Sequence, residues 1–185
     1  MGLEINLGRA KIKIIRGDIT EQEVDALVNS ANPSLMGGGG VDGAIHKKGG
    51  VKILEECKKI RETMYPNGLP TGEAVITSGG NLKAKFVIHT VGPIWQGGSK
   101  GEDELLERAY LSSLKLAKDK GLKSLAFPSI STGAYGFPIE RASKIALRTV
   151  KEFLIREDGL EEVVFVLFNE RDKRVYEEVA KDIFQ

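Results

Sequence analysis

The chain has little of what most functional assignments start from. Its 185 residues include one cysteine, Cys57, and two histidines, His46 and His89. A single thiol cannot form an internal disulfide. Two imidazoles and one thiol are a thin basis for a Cys/His metal centre, so no metal is expected. Cys57 lies in a helix-like segment and reads as a small buried apolar residue. Aromatic residues make up only 6% of the chain, and the net charge is +1. That leaves no bulk positive field to draw nucleic acid or an anionic membrane, so any anion must be held locally. No run approaches the roughly twenty apolar residues of a membrane span. The N-terminus is mixed and charged, with no signal-peptide core. A cytoplasmic protein with no membrane or nucleic-acid partner is the expectation.

Some familiar motifs are missing too. There is no Gly-x-x-x-x-Gly-Lys-Ser/Thr loop and no G-x-G-x-x-G after the first strand-like segment. These gaps argue against a Walker-type triphosphatase and a nicotinamide enzyme. Ser129 and Ser131 have no neighbouring His-Asp pair in sequence, which argues against a serine hydrolase.

What is present suits a soluble globular protein: 41% hydrophobic and 29% charged residues, in a length that fits one domain over residues 1–185. No internal repeat or low-complexity tract is visible. No long amphipathic stretch lacks a core role, so a monomer is expected. Leu3 to Leu7 and Lys11 to Ile15 alternate apolar and polar residues and read as a strand hairpin. Ala26 to Val28, Glu73 to Ser78, Phe86 to Val91, Ser124 to Phe127 and Val163 to Phe168 read as further strands. Helical spacing covers Asp42 to Lys48, Val51 to Arg61 and Asp103 to Lys120. It also covers a helix opened by Pro138, burying Ala142, Ile145, Ala146 and Phe153, and a last one over Arg171 to Ile183 with Val175, Val179 and Ile183 inward. Strands and helices alternate from Ala26 onward. This predicts an α/β fold whose sheet is mostly parallel, mixed at its N-terminal edge, with helices on both faces. Ligands of such sheets sit at the carboxyl ends of the strands. Asp18, Asn29, Ser129 and Phe168 fall at or just after strand ends and should gather along that rim.

Two small-residue loops reach the same rim. Gly37 to His46 reads GGGGVDGAIH, and Ser129 to Gly136 reads SISTGAYG. Bare backbone before a helix can turn its N–H groups on an anion. With no lysine in either loop, a diphosphate held by backbone amides fits better than a triphosphate hydrolysed through magnesium. Asn32 and Asp42 flank the glycines and add an amide and one acid. His46 follows Asp42 by one helical turn, placed either to orient it or simply to pack. Taken alone, Phe168 reads as core, with a ring face for a base as the other reading. Asp18 reads as a loop cap or as an acceptor for an exocyclic amine. His89, inside an apolar strand, reads as a hydrogen-bonded structural histidine.

Together these residues resemble the macrodomain family. The resemblance runs through Gly17-Asp18-Ile19-Thr20, Val28-Asn29-Ser30-Ala31-Asn32, GGGGVDGAIH, Thr71-Gly72-Glu73-Ala74, His89-Thr90-Val91-Gly92-Pro93 and Phe127 to Pro138 as FPSISTGAYGFP. It spans nearly the whole chain. The GGVDGAIH form is similar to the MacroD-type subgroup, whose members remove ADP-ribose from protein carboxylates. Two departures stand out: Asn-Ser-Ala-Asn where Asn-Ala-Ala-Asn is commoner, and Lys47-Lys48-Gly49-Gly50 where a more apolar stretch is usual.

The resemblance implies a three-layer α/β/α sandwich and ADP-ribose as ligand, with no cofactor. Asp18 would accept from the adenine amino group beside the Ile19 amide, with Phe168 against the ring. Gly38, Gly39, Gly40 and Val41 would wrap the diphosphate with Ser129, Ser131, Thr132, Gly133 and Ala134. Tyr135 would pack on the distal ribose and Asn32 would hydrogen-bond it. Asp42, with Asn32 and His46, would carry the catalysis. The implied partners are ADP-ribosylated proteins or O-acetyl-ADP-ribose. Two other activities compete: an ADP-ribose reader without chemistry, and an ADP-ribose 1″-phosphate phosphatase.

Overall fold

The computed structural model describes residues 2–185. Seven strands form one sheet: β1 (Leu3–Leu7), β2 (Ala10–Arg16), β3 (Ala26–Ala31), β4 (Ala74–Ser78), β5 (Phe86–Val91), β6 (Ser124–Phe127) and β7 (Glu162–Leu167). Their spatial order is β1-β2-β7-β6-β3-β5-β4. The five central strands run parallel, and both edge strands pair antiparallel to their neighbours. The expectation of a mixed N-terminal edge holds at β1, but β4 makes the far edge antiparallel as well. Residues 79–85 join β4 to β5, and so short a connection cannot carry the crossover that a parallel pair needs.

The helices are α1 (Gly40–Gly49), α2 (Val51–Thr63), α3 (Glu102–Asp119), α4 (Ile139–Arg156) and α5 (Glu170–Ile183). The sheet divides the apolar residues into two clusters. On one face Ile12, Ile14, Val28, Ile88, Phe127 and Phe165 pack against α3, α4 and α5. On the other, Leu27, Ala31, Val87, Val91, Val164 and Val166 pack against α1 and α2. This is the expected α/β/α sandwich. Strand alternation explains the composition: Val163, Phe165 and Leu167 face one helical layer, while Val164 and Val166 face the other.

Several boundaries and orientations differ from expectation. β3 runs on to Ala31 instead of stopping at Val28, which draws Asn29 into the sheet, fully buried. Parallel pairing with β5 carries the strand on past the last aliphatic residue, and Asn29 sits opposite His89. Ile145, Val175 and Ile183 are only half-buried against the core, while Leu147, Val150 and Tyr176 fill the inward positions. The amphipathic stripe is simply rotated slightly from its expected centre. Phe168 lies one residue beyond β7, and 86% of it is exposed. Leu167 is the last side chain directed into the core, and past the strand end nothing covers the ring.

The α3–α5 face has an aromatic centre. Phe127 and Phe165 stack at 5.8 Å and 21°, and Tyr110 lies 4.9 Å from Phe127. Phe127→Ala is expected to cost about 3–5 kcal/mol, since the truncation leaves a cavity that fixed strands cannot close. Urea denaturation should show a lowered midpoint with an unchanged slope.

Candidate functional site

The site lies on the carboxyl-end rim, where α1 begins. Gly39 caps this helix without any side-chain hydrogen bond, so the N–H groups of its first turn, Gly40, Val41 and Asp42, stay open. Gly40 has φ +56°, a conformation glycine takes without strain. Gly43 permits a close approach, because a Cβ there would lie 2.3 Å from the Gly38 carbonyl oxygen. The glycine loop can therefore fold back onto the helix it precedes.

The second loop follows β6. Ser131 holds a positive φ of 68° and donates no side-chain bond, although its Oγ is buried. Turn bonds from Gly136 N–H to the Gly133 carbonyl (3.0 Å) and from Phe137 N–H to the Ser131 carbonyl (3.0 Å) shape the loop. The N–H groups of Thr132, Gly133, Ala134 and Tyr135 meet no acceptor among the described residues. A cleft of about 290 Å³ lies between the two loops. Its lining includes Asn32, Gly38 to Asp42, Ser129, Ser131 and Gly133 to Tyr135. No lysine or arginine lines it, so an anion here meets backbone dipoles.

Asp42 is buried in the wall of this cleft. Its Oδ1 accepts from Asn29 Nδ2 at 2.8 Å. Its Oδ2 faces the glycine loop: a Cβ placed on Gly38 would lie 3.4 Å from it and 3.3 Å from Asn32 Nδ2. Burial raises the Asp42 carboxyl above its ordinary value, and the Asn29 donation and the nearby His46 only partly offset this. His46 Nε2 lies 3.4 Å from Oδ1 in an electrostatic contact, with neither ring nitrogen hydrogen-bonded. The group that orients Asp42 by a hydrogen bond is therefore Asn29, which lies inside β3 beneath the cleft and not on the rim where it was expected. Asn32 accepts from Ser34 N–H (3.1 Å) and donates one amide N–H to the Gly37 carbonyl (3.0 Å). It pins the glycine loop and keeps its second N–H for the cleft.

The remaining candidates lie around this centre. Thr132 Oγ1 donates to the Ser129 carbonyl, and Ser129 Oγ pairs with Tyr176 OH at 2.8 Å, so both hydroxyls brace the loop. Asp18, Ile19, Thr132, His46 and Phe168 do not line the cleft itself. Asp18 caps the short 3-10 turn Ile19–Glu21, accepting from Thr20 N–H at 2.9 Å and Thr20 Oγ1 at 2.6 Å. The Thr20 hydroxyl is the chief cause that holds its carboxyl below the ordinary range. Ile19 is buried beside it. β2 and β7 are neighbours, so Asp18 and the exposed Phe168 follow adjacent strand ends, beyond the phosphate-type loops on the same rim.

Residues 28–146 match the Macro domain family. The chain belongs to the macrodomain family. It is 60% identical over 175 residues to the macro domain-containing protein TTE0995 of Caldanaerobacter subterraneus subsp. tengcongensis, covering 95% of this chain and 98% of that one. It is 51% identical over 169 residues to the O-acetyl-ADP-ribose deacetylase of Escherichia coli K12, covering 91% and 94%. Among solved structures, a mutant of the Oceanobacillus iheyensis macrodomain with ADPR superposes with a TM-score of 0.96 at 45% identity, over 100% of this chain and 99% of that one.

Within this macrodomain, sequence reasoning passed over two supports. His89 behaves as the structural histidine expected, yet it also touches the site through Asn29, with Nδ1 3.1 Å from Asn29 Nδ2. His46, Cys57 and His89 place ligand-type atoms within 4.8 Å of one another, but both His89 nitrogens already face hydrogen-bond partners. Glu102 is the second support. It is buried at the start of α3 and accepts from the N–H groups of Gln96 (2.8 Å), Gly98 (2.9 Å) and Lys100 (2.6 Å). This fixes the loop whose Trp95 N–H bonds to the Tyr135 carbonyl at 2.9 Å. The signal was an acid at the end of the glycine-rich stretch Trp95 to Gly101.

Burial pushes the Glu102 carboxyl up, but the N–H donors led by Gly98 and Gln96 prevail and hold it at about 2, from an ordinary 4.5. A depressed carboxyl pKa stabilises the fold above the unfolded value, and that stabilisation is lost as pH falls. Between pH 4.5 and about 2 the protein should therefore lose stability. Glu102→Gln should flatten this slope, with denaturation midpoints measured across the acid range as the readout.

Proposed function

We propose that this macrodomain binds ADP-ribose along the rim and hydrolyses the ester that joins its distal ribose to a carboxylate. The substrates are mono-ADP-ribosylated Asp or Glu side chains and O-acetyl-ADP-ribose. One observation carries the reading: a single buried carboxylate, Asp42, stands in the wall of a cleft that no lysine or arginine lines. A site that only held ADP-ribose would have no use for a desolvated acid there, since an uncompensated buried charge is costly.

Adenine stacks on Phe168, with Asp18 accepting from its amino group. The diphosphate lies over the first turn of α1 and the loop Ser131 to Tyr135, whose N–H groups are fixed before the ligand arrives. Asn32 donates its free N–H to the distal ribose, and Tyr135 packs against the sugar. Asp42 Oδ2 orients a water and takes its proton as the water oxygen bonds to the electrophilic carbon. In the protein ester that carbon is the anomeric one, and the bond to the carboxylate oxygen breaks. The departing carboxylate is a good leaving group and requires no strong acid. The raised Asp42 pKa suits the base role, because it brings the carboxylate nearer to the basicity a proton acceptor needs. The names of the Escherichia coli relative and of the ADPR-bound Oceanobacillus iheyensis structure support ligand and reaction alike.

The test is release of free ADP-ribose from a carboxylate-linked mono-ADP-ribosylated protein, and of acetate from O-acetyl-ADP-ribose. Asp42→Ala should lower turnover at least about 100-fold while ADP-ribose affinity, measured by calorimetry, changes little. Binding without turnover in the wild type would make the protein a reader. Release of inorganic phosphate from ADP-ribose 1″-phosphate, in place of ester cleavage, would make it a phosphatase. Phe168→Ala should weaken ADP-ribose binding by about tenfold, in line with the worth of one aromatic face to a base, and leave the fold's denaturation midpoint unchanged.

A further inference from the structure

A row of polar side chains crosses three neighbouring strands beneath α1 and α2. Strand alternation sets Asn29 between Leu27 and Ala31 on β3, His89 between Val87 and Val91 on β5, and Thr77 beside Val75 on β4. All three are buried in an otherwise apolar layer. Asn29 Nδ2 lies 2.8 Å from Asp42 Oδ1 and 3.1 Å from His89 Nδ1. His89 Nε2 lies 3.0 Å from Thr77 Oγ1, which lies 3.0 Å from the Ser78 carbonyl.

We propose that His89 and Thr77 are positioning residues for the reaction, holding Asn29 in the one amide orientation that presents N–H to Asp42. The inference rests on the hydrolase reading given above for Asp42. With Asp42 as the carboxylate, the proton count favours one arrangement, which leaves Asn29 Oδ1 buried without a partner. The Ser78 carbonyl can only accept, so Thr77 donates to it and must accept from His89 Nε2–H. A neutral imidazole protonated at Nε2 has a bare Nδ1, which requires a donor. The Asp42 carboxylate requires a donor as well. Only the NH₂ end of Asn29 has two N–H bonds, and both acceptors face it. A flipped Asn29 would set its carbonyl oxygen against a carboxylate and a bare nitrogen at once.

The row is insulated from solution pH. Full burial lowers the His89 pKa to about 3, so Nδ1 does not become a donor near neutrality. The titratable groups around Asp42 and His89 are His46 on α1 and Cys57 on α2, with Glu56 beside Cys57. Cys57 Sγ is 3.9 Å from His89 Nε2, and burial pushes the thiol up to about 12, so it stays neutral. The His46 ring is 6.2 Å from that of His89, centroid to centroid.

The first test needs no variant. In ¹⁵N-histidine-labelled protein, NMR should show the buried histidine with a bare Nδ1 and a protonated Nε2 throughout pH 5 to 9. A protonated Nδ1 would overturn the proposal. The second test uses Thr77→Val and Thr77→Ser. Valine removes the acceptor for Nε2–H and frees the tautomer. The kcat for ester cleavage should fall about tenfold while KM and ADP-ribose affinity hold. The acid limb of the kcat profile should move to higher pH, because the Asn29 bond that lowers the Asp42 pKa is weakened. Serine should restore both rate and profile. A serine variant as slow as valine, or a valine variant with an unmoved acid limb, would reduce the row to packing. Wild-type protein that binds ADP-ribose without turnover would instead fail the hydrolase reading, with the tautomer still decided by NMR.

Discussion

A carboxylate taken out of water must find donors inside the protein, and Asp42 finds its nearest one in Asn29 at 2.8 Å. Burying such an ion without a partner would cost several kcal/mol or simply neutralise it. The Asn29 donation leaves the acid buried but still available. Only one oxygen is occupied in this way. The other remains directed at the glycine loop and the cleft. The strand pairing of β3 with β5, the start of α1 and the course of the glycine loop all serve this one contact. They must agree for Asn29 to meet Asp42 from a neighbouring element.

The same economy governs the anion-facing surface. The chain as a whole carries a charge of only +1, and no cationic side chain lines the cleft. Any attraction for an anion there must come from peptide dipoles at the start of α1 and in the loop after β6. Such dipoles act over short range and in fixed directions. They favour a ligand that fits the curve of the two loops over one that is merely negative. The buttress at Glu102 belongs to this logic, since it holds the Trp95 loop against the Tyr135 carbonyl from outside.

Legibility in the sequence followed the physics of each element. The parallel layers, both phosphate-type loops and the pair Asn32 and Asp42 could be read, because glycine runs and period-two apolar patterns are local signals. The antiparallel β4 edge depended on the length of a connection, which was visible but not weighed. Phe168 misled when taken as a residue alone, since an aromatic at the end of an apolar run ordinarily continues the core. Its exposure of 86% follows from where the strand stops, and a one-residue shift in that boundary reverses the reading. The contact between Asn29 and Asp42 was not legible at all. It joins residues from a strand and a helix whose facing is set only by tertiary packing.

Burial of the polar row also separates the jobs of the two loops from that of the acid. The loops must admit and release a ligand, so their N–H groups face water when the cleft is empty, and water satisfies them. Asp42 differs, because its raised pKa comes from burial and full hydration would undo it. Its partner is therefore drawn from the sheet, the least mobile part of the molecule, and that partner is backed by a histidine with no solvent exposure. Apolar neighbours on both sides, Leu27 and Ala31 on β3 and Val87 and Val91 on β5, keep water out of the row. A loop-borne donor could supply the same 2.8 Å bond for part of the time, but it could not supply the same dielectric.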